Sequence, residues 1–376
     1  MDSETTVGET LIALKIEPTR GNLLGWLYTK HAKKTVSVAA LTMLAPACIV
    51  ILSWAEQVLI NPSLKLDLVH DTGFFAQYLL LLPAVVLGMG LLTADFPARL
   101  DMWRDAGLFK VNRSGYEKAI ECANRFIESR LAQLLPPIVA AIAVIYGAIV
   151  HTFSTANTWH SPDDFGGHAT VSGLMVLLIR FMLYFLLTSF FLYTAVFISI
   201  FLRLVNNGVN LKIFHSDESS GLGDIGRYWI KYYSSILIVG FLFWILVVYV
   251  QSFFWDKYLP HIVVLFIYIS ALISGILPIY YTHKAMHAEK CSIVSVVDDT
   301  LSEYISLVLF KDAALNSENL DETLKLRQVL LHNIATWPYK FKFLSFLTAS
   351  LLPVALSTVD LISKSRSLLV LLASGK

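Results

Sequence analysis

Long apolar runs divided by short polar segments set the pattern of this chain. The clearest runs are 35–60, 74–94, 133–153, 176–202, 234–254 and 262–282. Each reaches the roughly 18–20 residues that cross a hydrocarbon core as a helix, so six transmembrane helices are predicted. The fourth run overshoots. Residues 171–202 carry one charge and would extend about 48 Å against a core of about 30 Å. The excess must tilt, kink or project beyond the bilayer.

Between the runs the periodicity changes. In 114–131, Tyr116, Ile120, Ala123, Ile127 and Leu131 recur every three or four residues, with Glu117, Lys118, Glu121, Arg125 and Glu128 between them. This predicts an amphipathic helix leading into the third span. Residues 284–336 read as two more helices. One runs through Ile293, Val297, Leu301, Ile305 and Leu309; the other, through Leu320, Leu324, Leu331 and Ile334, starts at an Asn319…Glu322 capping box. A seventh run, 343–362, follows Lys340 and Lys342 but contains Pro353 and Asp360 and precedes Lys364, Arg366 and Lys376. It reads either as a span or as a re-entrant segment. The fold class is therefore an all-α polytopic membrane protein with six to seven transmembrane helices and a helical cytoplasmic layer. Its parts are an interfacial N-terminal segment (1–34), a transmembrane bundle (35–283) with loops 95–132 and 203–233, a cytoplasmic hairpin (284–342) and a C-terminal segment (343–376).

Charge orients the bundle. Residues 1–34, 95–132, 203–231 and 284–342 hold 5, 7, 4 and 7 Lys and Arg, or 23 of the 29. The alternate connections hold only Lys65 and Lys257. The positive-inside rule then puts the N-terminus in the cytoplasm. Composition agrees: of 376 residues, 56% are hydrophobic and 15% charged, both displaced from soluble averages. The net charge of +1 argues against direct nucleic-acid binding. The chain opens Met-Asp-Ser-Glu with no apolar core behind it, unlike a cleaved signal peptide. Cys48, Cys122 and Cys291 are too few and too scattered for a disulfide framework.

Candidate chemistry is sparse. Arg180 and Glu56 are the ionisable residues nearest the spans' interior, Arg180 in the fourth and Glu56 near the end of the first. A charge there lines a pore, pairs with an opposite charge or snorkels, and Glu56 is the expected counter-ion. Asp95 and Asp360 read as interfacial. His151, His160 and His168 with Asp163 and Asp164, and His283 with His287, fall short of a metal-ligand set. No metal, cofactor or catalytic residue is expected. Ala143-x-x-x-Gly147 and Ala271-x-x-x-Gly275 are small-residue pairs that let helices approach closely. Trp54, Trp159, Trp229, Trp255, Tyr258 and Tyr280 read as an interfacial aromatic belt. Residues 22–34 place Leu23, Leu24, Trp26 and Leu27 before Lys30, Lys33 and Lys34, as in a helix lying on the inner leaflet.

The most distinctive loop is 215–226, with His215, Asp217, Gly221, Gly223 and Gly226 as candidate gating residues. Its glycines permit a sharp turn. The alternative is a plain connector capped by Ser216 or Asp217. The loop resembles one in poorly characterised bacterial polytopic membrane proteins that carry His-Pro-Asp with Gly-Gly-Leu. Here Ser216 stands for the proline and Gly221-Leu222-Gly223 for Gly-Gly-Leu. The resemblance implies a bacterial origin, hence an inner-membrane location, and brings no established function. Gly221-Leu222-Gly223-Asp224 also matches the Gly-x-Gly-Asp of aspartyl intramembrane proteases. The Tyr-Asp and Pro-Ala-Leu elements of that chemistry are missing from the sequence.

These features point to an oligomeric ion channel or regulated pore, with the lipid bilayer, further copies of itself and a cytoplasmic regulatory protein as partners. Membrane effectors of antiviral defence in bacteria share this architecture. A secondary transporter and a membrane-anchored scaffold or sensor are the alternatives.

Overall fold

In the computed structural model, residues 42–64, 66–148, 158–162, 169–212, 219–245, 259–311 and 317–336 are described. The expectations for 22–34, 343–362, Trp255, Tyr258, His151, His168, Asp163 and Asp164 lie outside them. The described chain forms α1 (Leu44–Ala55), α2 (Thr72–Asp105), α3 (Arg113–Ile127), α4 (Arg130–Gly147), α5 (Val171–Asn206), α6 (Gly223–Ile245), α7 (Leu259–Lys311) and α8 (Ser317–Asn333). No strand of more than isolated bridges occurs among the described residues.

Short polar side chains start several of these helices. Asp71 Oδ1 accepts from Phe74 N at 3.0 Å, Asn112 Oδ1 from Gly115 N at 2.8 Å, Ser129 Oγ from Ala132 N at 3.3 Å and Thr170 Oγ1 from Gly173 N at 3.0 Å. Each satisfies an amide that the helix leaves free.

Three helices, α2, α5 and α6, are long and apolar enough to cross a membrane. The pair α3–α4, bent by 44°, makes a fourth if it counts as one span. α1 is apolar but only 12 residues long. The fourth run is longer still than its pattern indicated, at 36 residues. α7 runs for 53 residues, so the sixth run and the first helix expected in 284–336 are one continuous helix. α8 begins at Ser317, before the expected cap at Asn319, which is therefore inside the helix.

α2 is interrupted twice. π-helical turns at Ala76–Leu81 and Leu91–Asp95 lie just before Pro83 and Pro97. A proline lacks the N–H that would bond four residues back, and its ring crowds that carbonyl. Widening the preceding turn relieves both defects without ending the helix.

The core lies between α2, α5 and α6, with α7 packed on α5 and α6. Its centre is aromatic. Phe96 meets Phe197 at 4.8 Å and Phe201 meets Trp229 at 4.9 Å between ring centroids, and Trp103, Phe109 and Tyr228 close around them. Trp159 and Trp229 are thus buried, not part of a belt, whereas Trp54 is exposed. At Ala271-x-x-x-Gly275 the small residues do admit a neighbour: a Cβ on Gly275 would sit 2.2 Å from the Tyr233 ring of α6. Leu131, Leu134, Ile138, Ile142 and Ile145 of α4, with Ile51, Leu80, Leu178 and Ile238, leave broad apolar faces outward, as a lipid-facing surface requires.

Candidate functional site: polar clusters at the two ends of the bundle

At one end of the bundle the connection after α1 folds over the starts of α2 and α5. Trp159 N donates to Leu66 O at 2.9 Å, and Trp159 Nε1 donates to Asp71 Oδ2 at 3.0 Å. Asp71 thus divides its two oxygens between the α2 cap and the indole. In the same connection Asp67 accepts from His70 Nδ1 at 2.5 Å and from the amides of His70 and Asn61 at 3.0 and 3.3 Å. Burial works against ionising Asp67, but these donors together outweigh it and hold the carboxyl below its usual range.

Glu56 is not the counter-ion of Arg180. Its Oε1 and Oε2 accept from Val171 N at 2.7 Å and Ser172 N at 3.2 Å. A carboxylate suits that position, because the free amides and the helix dipole are both positive there. Arg180 lies further along α5, beside Tyr78 from the first π turn of α2 and Tyr184 one turn on. The acid whose charge reaches it is Asp71. Tyr78 Oη and Arg180 Nε are both buried, and the two side chains are each other's polar neighbours.

At the other end, α2 and α6 are joined by an ion cluster that the sequence alone did not bring together. Arg99 Nη1 donates to Asp224 Oδ1 and Oδ2, both at 2.8 Å, and Trp103 Nε1 donates to Oδ2 at 2.9 Å. Arg99 Nε also lies 3.3 Å from Asp95, which Lys231 approaches at 3.6 Å. The guanidinium sits over the Tyr228 ring at 5.7 Å. Tyr228 in turn donates to Leu91 O at 3.1 Å, a carbonyl in the second π turn. Asp95 is therefore part of a network, beyond its interfacial reading.

Asp224 closes the Gly-Leu-Gly turn. His215 and Asp217 lie outside the described residues. Gly221 has φ +87°, with the Lys212 side chain 3.3 Å from where its Cβ would be, so a side chain there is strained. Gly223 begins α6 and Gly226 is buried in its first turn. The turn also meets the hairpin of α7 and α8. Lys212 N donates to Ser220 O at 2.9 Å, and Ala335 N, just past α8, donates to Ser220 Oγ at 3.2 Å. Lys290 of α7 caps the same end of α8, donating to Leu331 O at 2.6 Å and Ile334 O at 3.1 Å. His283 Nδ1 lies 2.6 Å from Thr336 O.

Among the described residues, no group of three His, Cys, Asp or Glu side chains is arranged to hold a metal ion. The fold and its lipid-facing surface define the class, a helical membrane protein. Compared with known proteins, the chain matches no family model, no curated protein and no solved structure.

Proposed function

We propose that the protein is a regulated pore of a bacterial inner membrane, built from several copies of this chain with six to seven spans each and gated from the cytoplasm. One observation carries the reading. The end of α8 docks on the turn that opens α6, and four residues later Asp224 clasps α2 through Arg99 and Trp103. A signal that shifts the hairpin therefore acts on a spanning helix already segmented by two π turns. The Lys and Arg distribution supports the cytoplasmic side for this junction. An antiviral effector that depolarises the cell on a partner's signal fits such a device. No catalytic role is proposed.

The test is planar-bilayer conductance of the purified protein, with oligomeric mass measured in the same preparation. Discrete unitary currents from a defined oligomer, increased by Asp224→Asn, are expected. A monomer silent in both wild type and variant sinks the reading. A secondary transporter is the second reading, favoured by the π turns that divide α2, since broken helices form transporter sites. It predicts saturable solute uptake without unitary currents.

A further inference from the structure

A groove runs between α3 and α5, at the end of the bundle that carries the Asp224 clasp. Its cavity measures about 200 Å³. Small residues on both walls, Ala119 and Ala123 on α3 and Ala195 and Ser199 on α5, leave the space between the helices unfilled. The lining is mostly apolar. Its hydroxyl, Ser199 Oγ, donates to Ala195 O at 2.7 Å and is spent within α5. Its charge is Arg203, exposed in the last turn of α5. Among the described residues no side chain pairs with this guanidinium, and the acids beside the α3 wall are committed. Glu117 accepts from Arg113 Nε at 3.0 Å and Glu121 from Arg125 Nη2 at 2.5 Å. Phe126, also in the lining, is exposed, and the apolar surface continues across the bend through Leu131 and Leu134 of α4. An occupant therefore needs an apolar chain to cover the walls and a negative charge to meet Arg203. A phospholipid carries both in one molecule and presents them at this depth, because an arginine ending a spanning helix reaches the headgroup level. A free anion would leave the walls bare, and an uncharged chain would leave the guanidinium unmet.

We propose that the groove holds one acyl chain of an anionic phospholipid, with the headgroup phosphate on Arg203. An anionic headgroup is favoured over a zwitterionic one because the latter brings its own ammonium beside the phosphate and offsets the attraction. The site rests on the chain being a membrane protein and not on the pore reading.

Cys122, exposed on the α3 wall, is a built-in reporter. The experiment follows maleimide alkylation of the purified full chain in detergent as phosphatidylglycerol or phosphatidylcholine is added. Cys48 and Cys291, exposed and outside the groove, are the internal references. Alkylation of Cys122 alone should slow saturably, at a lower concentration of phosphatidylglycerol than of phosphatidylcholine. Arg203→Gln should raise the phosphatidylglycerol concentration required by about 5-fold, the contribution of one basic residue beside anionic headgroups, and leave that of phosphatidylcholine unchanged. Ala195→Phe, at an exposed position where a ring fills the groove, should abolish retention of the lipid in native mass spectrometry. No selective slowing at Cys122 overturns the site. An equal response to the two lipids, or none to Arg203→Gln, overturns the anionic headgroup. Slowing that grows with protein concentration in the absence of lipid overturns the lipid in favour of a second copy of this chain. None of these outcomes reads a current, so the site and the pore reading fail separately.

Discussion

Replacing Asp224 with alanine tests the clasp between α2 and α6 most directly. The substitution removes two contacts from Arg99 Nη1 and one from Trp103 Nε1. The Arg99 part is modest, because both charged side chains are 28% exposed and Arg99 keeps Asp95. Solvent screening brings that part to about 1 kcal/mol. The indole part is different: Trp103 is fully buried, and an orphaned buried donor costs about 1–3 kcal/mol. The sum is about 2–4 kcal/mol. A double-mutant cycle separates the two parts, since Trp103→Phe removes the N–H while keeping most of the ring. Coupling of about 1 kcal/mol between Asp224→Ala and Trp103→Phe is expected. Reversible unfolding in bicelles of fixed composition is the assay. If gating opens this clasp, a loss of about 2 kcal/mol shifts the open-to-closed ratio roughly 30-fold. An Asp224→Ala cost below about 0.5 kcal/mol, or no coupling to Trp103, would refute the argument that this carboxylate holds the two helices together.

Three further outcomes follow from other contacts. Gly275→Ala drives a methyl into the Tyr233 ring and should destabilise the protein by about 1–3 kcal/mol in the same unfolding assay, with Tyr233→Ala partly restoring stability. Asp67 has its carboxyl pKa depressed below 3.8 by His70 and Asn61 despite its burial, so its contribution is complete above that value and is lost as pH falls through the lower folded value. Amide exchange across 58–71 should accelerate on acidification in the wild type, and Asp67→Asn should show fast exchange already at neutral pH. Asp298 and Arg327 join α7 to α8 with Oδ1–Nε at 2.5 Å, and Arg327 lowers the Asp298 pKa. Asp298→Arg should loosen α8 in hydrogen exchange, and adding Arg327→Asp should restore protection.

Local chemistry was legible in the sequence; partnership was not. The amphipathic pattern of 114–131 appears as α3 up to Ile127, because periodicity is set by one helix face regardless of what covers it; its last position, Leu131, falls beyond a 44° bend in α4. The helix of 284–311 was divided from the sixth run because its hydropathy changes near residue 283. Hydropathy follows the solvent, whereas a helix ends only where its backbone is broken, and residues 281–292 contain neither glycine nor proline. Trp159 and Trp229 were placed by depth alone. Depth does not say which face of the helix an indole occupies, and both face inward.

The clasp shows the same limit from the other direction. Arg99 and Asp224 are 125 residues apart, and neither has a local signature of its partner. Asp95 and Arg99 at i,i+4 were a signal, since an acid and a base one turn apart at a span's end can act together on a third group. Pro83, inside the second run, and Pro97, three residues past it, were another: each proline in a continuing helix requires a backbone adjustment, and the structure makes both as π turns. Tyr228 joins these signals, lying under the Arg99 guanidinium while its hydroxyl bonds the Leu91 carbonyl in the second π turn. Displacing Arg99 would therefore disturb the ring that holds this turn, so charge at the end of α2 and backbone geometry within it change together. A straight helix pinned by the same ion pair would pass on only a rigid tilt. The π turns let α2 respond in segments to a change at the clasp, as the proposed gating requires.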